Sequence, residues 1–279
     1  MAINIVLVFN MESDSFLALM TQFSERLASL DITLFEKIES QSTNDDRRSL
    51  LAVQLATGNL TDSFSYLEIG SYLGGSIQPY LLDEKCTRII SVDKRPEVQP
   101  DARGYDWVYQ NNTTARMVEL LKGVSENTDK LETFDGDTSE VKPGQVGEKV
   151  DLCFIDGEHT DVAVVRDFRF CLNVLKENGA IMFHDAQITY NGIAECIEYL
   201  QKNNIKFRAY ALPSVAFLVE IGDFPLHIDK AISDQIVSGH LSYLFSLQHN
   251  DNFRRFANRF PFGSLRRAMI KFKRSNVSQ

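Results

Sequence analysis

Cysteine is scarce in this sequence, four in 279 residues, and Cys86, Cys153, Cys171 and Cys196 stand far apart. A disulfide framework is therefore not expected, and the four read as reduced thiols of a cytoplasmic protein. Long apolar runs are missing too. Met1 to Phe9 is apolar but only a strand long, has no basic lead and gives way to Asn10, Glu12 and Asp14. Neither a signal peptide nor a membrane span is expected there. There is no internal repeat and no low-complexity tract, and with 44% hydrophobic and 24% charged residues the composition excludes a fibre or a disordered chain. Positive charge is short over most of the length. The net charge is −9, although the segment from Leu226 onward holds nine basic residues against three acids. An acidic body argues against nucleic acid as a partner, whereas the basic tail suits something anionic.

Two phosphate signatures are also absent: no G-x-G-x-x-G, and no glycine loop ending in Gly-Lys-Ser/Thr. In their place stands Tyr66 to Ser76, Y-L-E-I-G-S-Y-L-G-G-S. The apolar run Phe64 to Ile69 stops at Gly70, Gly74 and Gly75 follow, and a helical pattern starts at Ile77, so the stretch reads as strand, tight turn and helix start. Glycine is needed where the backbone takes positive φ or comes close to a ligand, and the helix start offers unpaired N–H groups. The spacing E-x-G-x-x-x-G-x-S suits a ligand with a nucleoside and no pyrophosphate. It resembles the first motif of the class I S-adenosylmethionine (SAM)-dependent methyltransferases, a strand ending in an acid and a glycine turn of this form. The resemblance implies an α/β fold, a Rossmann-like seven-stranded mixed sheet with helices on both faces and a closing antiparallel pair. It also implies SAM held around Glu68, Gly70, Ser71, Gly74 and Ser76.

The remaining pattern supports that architecture. Residues 2–9 read as a strand, Ser15 to Ala28 as an amphipathic helix, Ile32 to Ile38 as a further strand, and Arg47 to Ala56 as a helix after a polar loop. Residues 1–60 are expected to form an extension serving as a lid or dimer contact, with a homo-oligomer as the expected assembly; residues 61–225 form the core and 226–279 the tail. Arg88 to Val92 reads as the second core strand, ending in Asp93. Its distance from Gly70 is near the roughly 20 residues expected of an acid that takes ribose hydroxyls. Lys94 to Tyr109 reads as a loop and Thr113 to Val124 as a helix. By the resemblance, an acid after the third core strand lies near the adenine; Asp137 in F-D-G-D-T-S is the best match, with Asp135 the alternative. V-D-L-C-F-I at Val150 to Ile155 suits a strand buried on both faces. A helix over Asp167 to Leu175 is expected to close at Asn178-Gly179, before a strand over Ala180 to Phe183. Ile193 to Gln201 reads as a helix, and Lys206 to Ala211 with Ala216 to Ile221 as the closing strand pair.

Chemistry-bearing residues gather at two strand ends, Asp156-Gly157-Glu158-His159 and His184-Asp185. Methylating a hydroxyl requires removal of its proton as the oxygen attacks a sulfonium methyl, and His159 is the natural base. A divalent cation held by Asp156 and Asp185 is the alternative means of activating the oxygen. F-I-D-G-E-H followed by F-H-D-A resembles a class I subgroup of metal-dependent O-methyltransferases of macrolide sugars and cephalosporin hydroxylase-like proteins. That resemblance implies Asp156 as metal and cofactor ligand, His159 as base and Asp185 as second metal ligand. His184 replaces one member of the family's acidic pair, and a histidine suits a transition metal better than Mg²⁺. The implied acceptor is a sugar or other glycan, or a small molecule. A catechol-like phenol and a SAM-binding protein without transfer activity are the other readings. Phe253, Phe256, Phe260, Leu265, Met269 and Phe272 recur at helical spacing among basic residues, as on a segment lying at an anionic membrane surface or packed on the body.

Overall fold

The computed structural model describes residues 21–101 and 106–257. The apolar stretch 2–9, the start of the first expected helix and most of the basic tail lie outside these residues.

A mixed sheet forms the centre, in the order β10-β8-β9-β7-β6-β1-β2-β5. Its strands are β1 (Phe64–Ile69), β2 (Cys86–Asp93), β5 (Leu131–Asp135), β6 (Val150–Ile155), β7 (Leu175–Phe183), β8 (Phe207–Ala211), β9 (Phe217–Ile221) and β10 (Ser238–Gly239). β1, β2, β5, β6 and β7 run parallel, whereas β9 pairs antiparallel with both β7 and β8. The seven expected strands are present. The two-residue β10, antiparallel to β8, makes an eighth. Chain order reverses at β1, which lies between β2 and β6, so the crevice outside the carboxyl ends of these strands is where such a sheet receives a ligand.

Alternation along each central strand divides the apolar residues into two clusters. Leu152 and Phe154 of β6 join Tyr66, Ile89, Met182 and Leu218 on one face, while Cys153 and Ile155 join Leu67, Ile90, Ile181 and Val219 on the other. The first face is covered by α1 (Asn44–Leu60), α2 (Gln78–Leu82) and α3 (Thr114–Lys122), the second by α4 (Asp161–Val174) and α5 (Tyr190–Lys202). A last helix, α6 (His240–Ala257), sets Tyr243 and Leu244 against the second cluster. All four cysteines are free and buried. Among the described residues no helix is long and apolar enough to cross a membrane.

α1 brings the front of the chain to the sheet. Thr43 caps it: the Thr43 hydroxyl accepts from the Asp46 amide while the Asp46 carboxylate accepts from the Thr43 amide, so two otherwise unpaired donors are satisfied. Leu50, Leu51, Val53 and Ala56 then enter the cluster that holds Tyr66 and Phe154.

Three expectations are corrected. Ile32–Phe35 is a 3₁₀ helix and not a strand, because the Asp31 side chain accepts from the Thr33 amide and starts a turn that buries Leu34 and Phe35. Asn178-Gly179 is no helix cap: α4 ends at Val174, and β7 runs through Gly179, which pairs with Ile221. Glycine is required there by close packing, since a Cβ would lie 2.7 Å from the Asp151 carbonyl oxygen. The loop expected over Lys94 to Tyr109 contains an antiparallel hairpin, β3 (Val98–Pro100) and β4 (Asp106–Val108).

Candidate active site

The glycine turn after β1 is built by close approach. Gly70 has φ +89°, and a Cβ on it would stand 2.2 Å from the carbonyl oxygen of Asp156, so only glycine lets the ends of β1 and β6 meet. Tyr72, at φ +45°, donates its amide to Asp93 Oδ2 at 2.9 Å, and Arg95 donates its amide to Asp93 Oδ1 at 2.7 Å. The Asp93 carboxylate thus ties the turn after β1 to the turn after β2.

Glu68 and Gly74 lie beneath this turn. Glu68 accepts from the Tyr66 hydroxyl at 2.7 Å and from the Ser76 hydroxyl, and its burial pushes its pKa up to about 8. Gly74 takes φ +82°, which favours glycine, and a Cβ on it would also come within 3.1 Å of the Leu121 and Met117 side chains of α3. Ser71 is different. Its hydroxyl is buried, has no hydrogen-bond partner and lies on a cavity wall, where a ligand can satisfy it.

Two clefts meet over this edge and share Gly70, Tyr72, Tyr109 and Asp156. The first, of about 40 Å³, lies over β2 and β5, among Val92, Asp93, Gly136 and Asp137. Two ion pairs line it, Lys94 with Glu158 at 2.5 Å and Arg166 with Asp137 at 3.1 Å. Asp167 on α4 also lines it, and its Oδ2 is buried without a partner. The second cleft, of about 250 Å³, is walled by Ser71, Ser76, His159, His184 and Asp185, with residues 39–43 on one side and Trp107 over His159.

The second cleft holds the acids and imidazoles together. His184 Nδ1 lies 3.0 Å from Asp156 Oδ1 and 3.2 Å from Asp185 Oδ2. His159 Nε2 lies 3.2 Å from Asp185 Oδ2 and 3.7 Å from Asp156 Oδ1. Burial opposes charge on Asp156, but His184 and His159 outweigh it and hold its carboxyl at about 2. Burial likewise opposes charge on both histidines, and the neighbouring carboxylates override it: His159 is raised and His184 lies well above the ordinary imidazole value. One donor atom from each of Asp156, His184 and Asp185 falls within 4.8 Å of the others, a spacing that fits one divalent cation with two oxygen ligands and one nitrogen. Glu158, paired with Lys94, is turned to the other cleft.

Residues 67–186 match the family model described as a methyltransferase domain. Over this segment, less than half of its length, the chain is similar to methyltransferase domains. The matched segment starts in β1 and ends one residue after Asp185. The uncharacterized protein R132 of Acanthamoeba polyphaga mimivirus is 24% identical to the chain over 187 residues, 67% of this chain and 80% of the relative. Among solved structures, the chain is similar to the O-methyltransferase NovP, at 11% identity and TM-score 0.49 over 64% of this chain and 81% of that one. It is also similar to the calicheamicin methyltransferase CalS11, at 16% identity and TM-score 0.47 over 73% and 93%.

Some of the cleft lining, and the acid facing His184, come from outside the matched segment. Asp46 at the start of α1 faces His184, and Ser214 and Val215 in the β8–β9 turn line the second cleft. Sequence reasoning placed Asp46 in a loop. Thr43-Asn44-Asp45-Asp46 does carry a capping signal that marks a helix start, but nothing in the local pattern sets that start against β7.

Proposed function

We propose that the chain transfers the methyl group of SAM to a hydroxyl of a sugar or glycosylated metabolite, with His159 as the general base and a divalent cation held by Asp156, Asp185 and His184. The observation that carries this reading is the place of His159: its Nε2 is set between two carboxylates on the wall of a cleft continuous with the Gly70–Ser71 turn. In this reading Ser71 and Asp167 offer their unpaired oxygens to the cofactor, Asp93 receives the ribose and Asp137 lies at the adenine end. A nucleoside needs a pocket of about 300 Å³ or more, so entry parts the Lys94–Glu158 and Arg166–Asp137 pairs that narrow the first cleft.

The acceptor would lie in the larger cleft. Ser40, Gln41, Ser42, Gln187 and Ser214 supply hydroxyl and amide groups, and Trp107 an apolar ring, a mixture that suits a polyol face better than a flat phenol. A bound divalent cation lowers the pKa of an acceptor hydroxyl and fixes its oxygen. His159 takes the proton from that hydroxyl at Nε2. Asp156 and Asp185, the carboxylates that favour the protonated form of His159, are also the groups that would hold a cation. Four buried free thiols fit a reducing, cytoplasmic setting.

The test is turnover of a panel of glycosides and phenols with SAM, with Mn²⁺ or Mg²⁺ and after chelation, alongside calorimetric binding of SAM. His159→Ala is expected to lower kcat about 10²- to 10⁴-fold and to leave SAM affinity within about twofold. An unaffected rate would remove His159 as the base; preference for phenols would redirect the acceptor.

A further inference from the structure

Asp46 takes no part in the reaction proposed above, yet it lies against the proposed metal ligands. His184 turns Nδ1 toward Asp156 and Asp185, which leaves Nε2 on the opposite edge of the ring. That nitrogen is buried, has no hydrogen-bond partner, and faces Asp46 Oδ2 at 3.5 Å. Asp46 is only 1% exposed, so the two groups meet away from water.

The carboxylate is held from two directions. Asp46 Oδ2 accepts from the Thr43 amide at 2.9 Å and the Thr43 hydroxyl at 2.6 Å, and Oδ1 accepts from the Val215 amide at 3.4 Å. Val215 in turn accepts the amide of Ala186, the residue after Asp185, at 3.0 Å. The start of α1 and the β8–β9 turn thereby fix Asp46 relative to the end of β7.

A neutral imidazole carries its proton on one nitrogen and offers a lone pair on the other, and the hydrogen bond made by the first decides which nitrogen binds a cation. We infer that Asp46 is a positioning residue that takes the Nε2–H of His184 and so presents the Nδ1 lone pair to the Asp156–Asp185 cluster. This inference rests on the metal reading of the proposed function. It gives His184 a definite role where the resembling family has an acid.

The test is calorimetric titration of Mn²⁺ into the metal-free full-length protein, in the wild type, Asp46→Ala and Thr43→Ala. Both variants break the α1 cap, but only the first removes the carboxylate. Asp46→Ala is expected to weaken Mn²⁺ binding about 10- to 100-fold, with Thr43→Ala within about twofold of wild type. Equal affinity in all three proteins would overturn the role of Asp46 and leave the metal reading standing. An equal loss in both variants would assign the effect to the helix cap and also overturn it. No Mn²⁺ binding by the wild type would overturn the metal reading and this inference together. Should Asp46→Ala fail to fold, nitrogen NMR of the wild-type histidines with Zn²⁺ decides, with His184→Gln assigning the signal. A protonated Nε2 and a metal-shifted Nδ1 on His184 are expected, and the reverse tautomer would overturn the proposal.

Discussion

Glu68 shows how one buried acid shapes pH behaviour. It is 1% exposed, and burial holds its pKa near 8 in the folded protein against 4.5 for the free side chain. The folded chain therefore keeps a proton that the unfolded chain releases. This contribution to stability is fully present below about pH 4.5 and is lost as pH rises toward 8, at about 1.4 kcal/mol per pH unit. Glu68→Gln is expected to flatten that part of the profile, read from denaturant midpoints between pH 5 and 8; an unchanged slope would place the proton elsewhere. Gly70, Asp93, Asp156, His159 and Asp185 were visible in the sequence because each sits where a strand stops, and a strand end facing a ligand edge is a local property. Asp46, Trp107 and Asp167 were not. Their approach to the clefts is set by how α1, the β3–β4 hairpin and α4 pack, and no short window encodes that.

At the scale of elements, strands were more legible than helix ends. β6 matched its apolar run, Val150 to Ile155, because a strand with both faces buried leaves no ambiguity of period. α4 begins six residues before the expected start, at Asp161 after the Thr160 cap, where the polar sequence concealed the cap among the site residues. Ile32 to Ile38 looked strand-like from its β-branched and aromatic residues, but Asp31 offered the backbone a local partner and a 3₁₀ turn formed. α1 depends on its cap in the same way. Thr43→Ala is expected to cost about 1 kcal/mol and to lower Tm by about 2–4 °C for a chain of this size, measured by circular dichroism. A Tm within about 1 °C of wild type would mean that the buried stripe of α1 holds the helix unaided.

Over the whole molecule, the two apolar clusters share one sheet, and adjacent residues of β6 serve opposite sides. Leu51 of α1 is fully buried on one side, far from the α4–α5 layer on the other. Leu51→Ala is expected to cost about 2–5 kcal/mol and to shift far-ultraviolet circular dichroism and Trp107 fluorescence together. Two separate transitions would show that the layers unfold independently. The mixed topology was legible at this scale because alternating strand and helix patterns admit few right-handed arrangements. The incorporation of the front segment into the same core was not, since helical periodicity says which face is apolar and not what covers it.

The matched stretch, residues 67–186, does not contain all of the candidate site. The acid behind His184 and the turn that steadies it come from either side of that stretch, at Asp46 and Val215. A graft of the recognisable segment into a foreign scaffold would carry the aspartates and histidines but leave behind the parts that aim them.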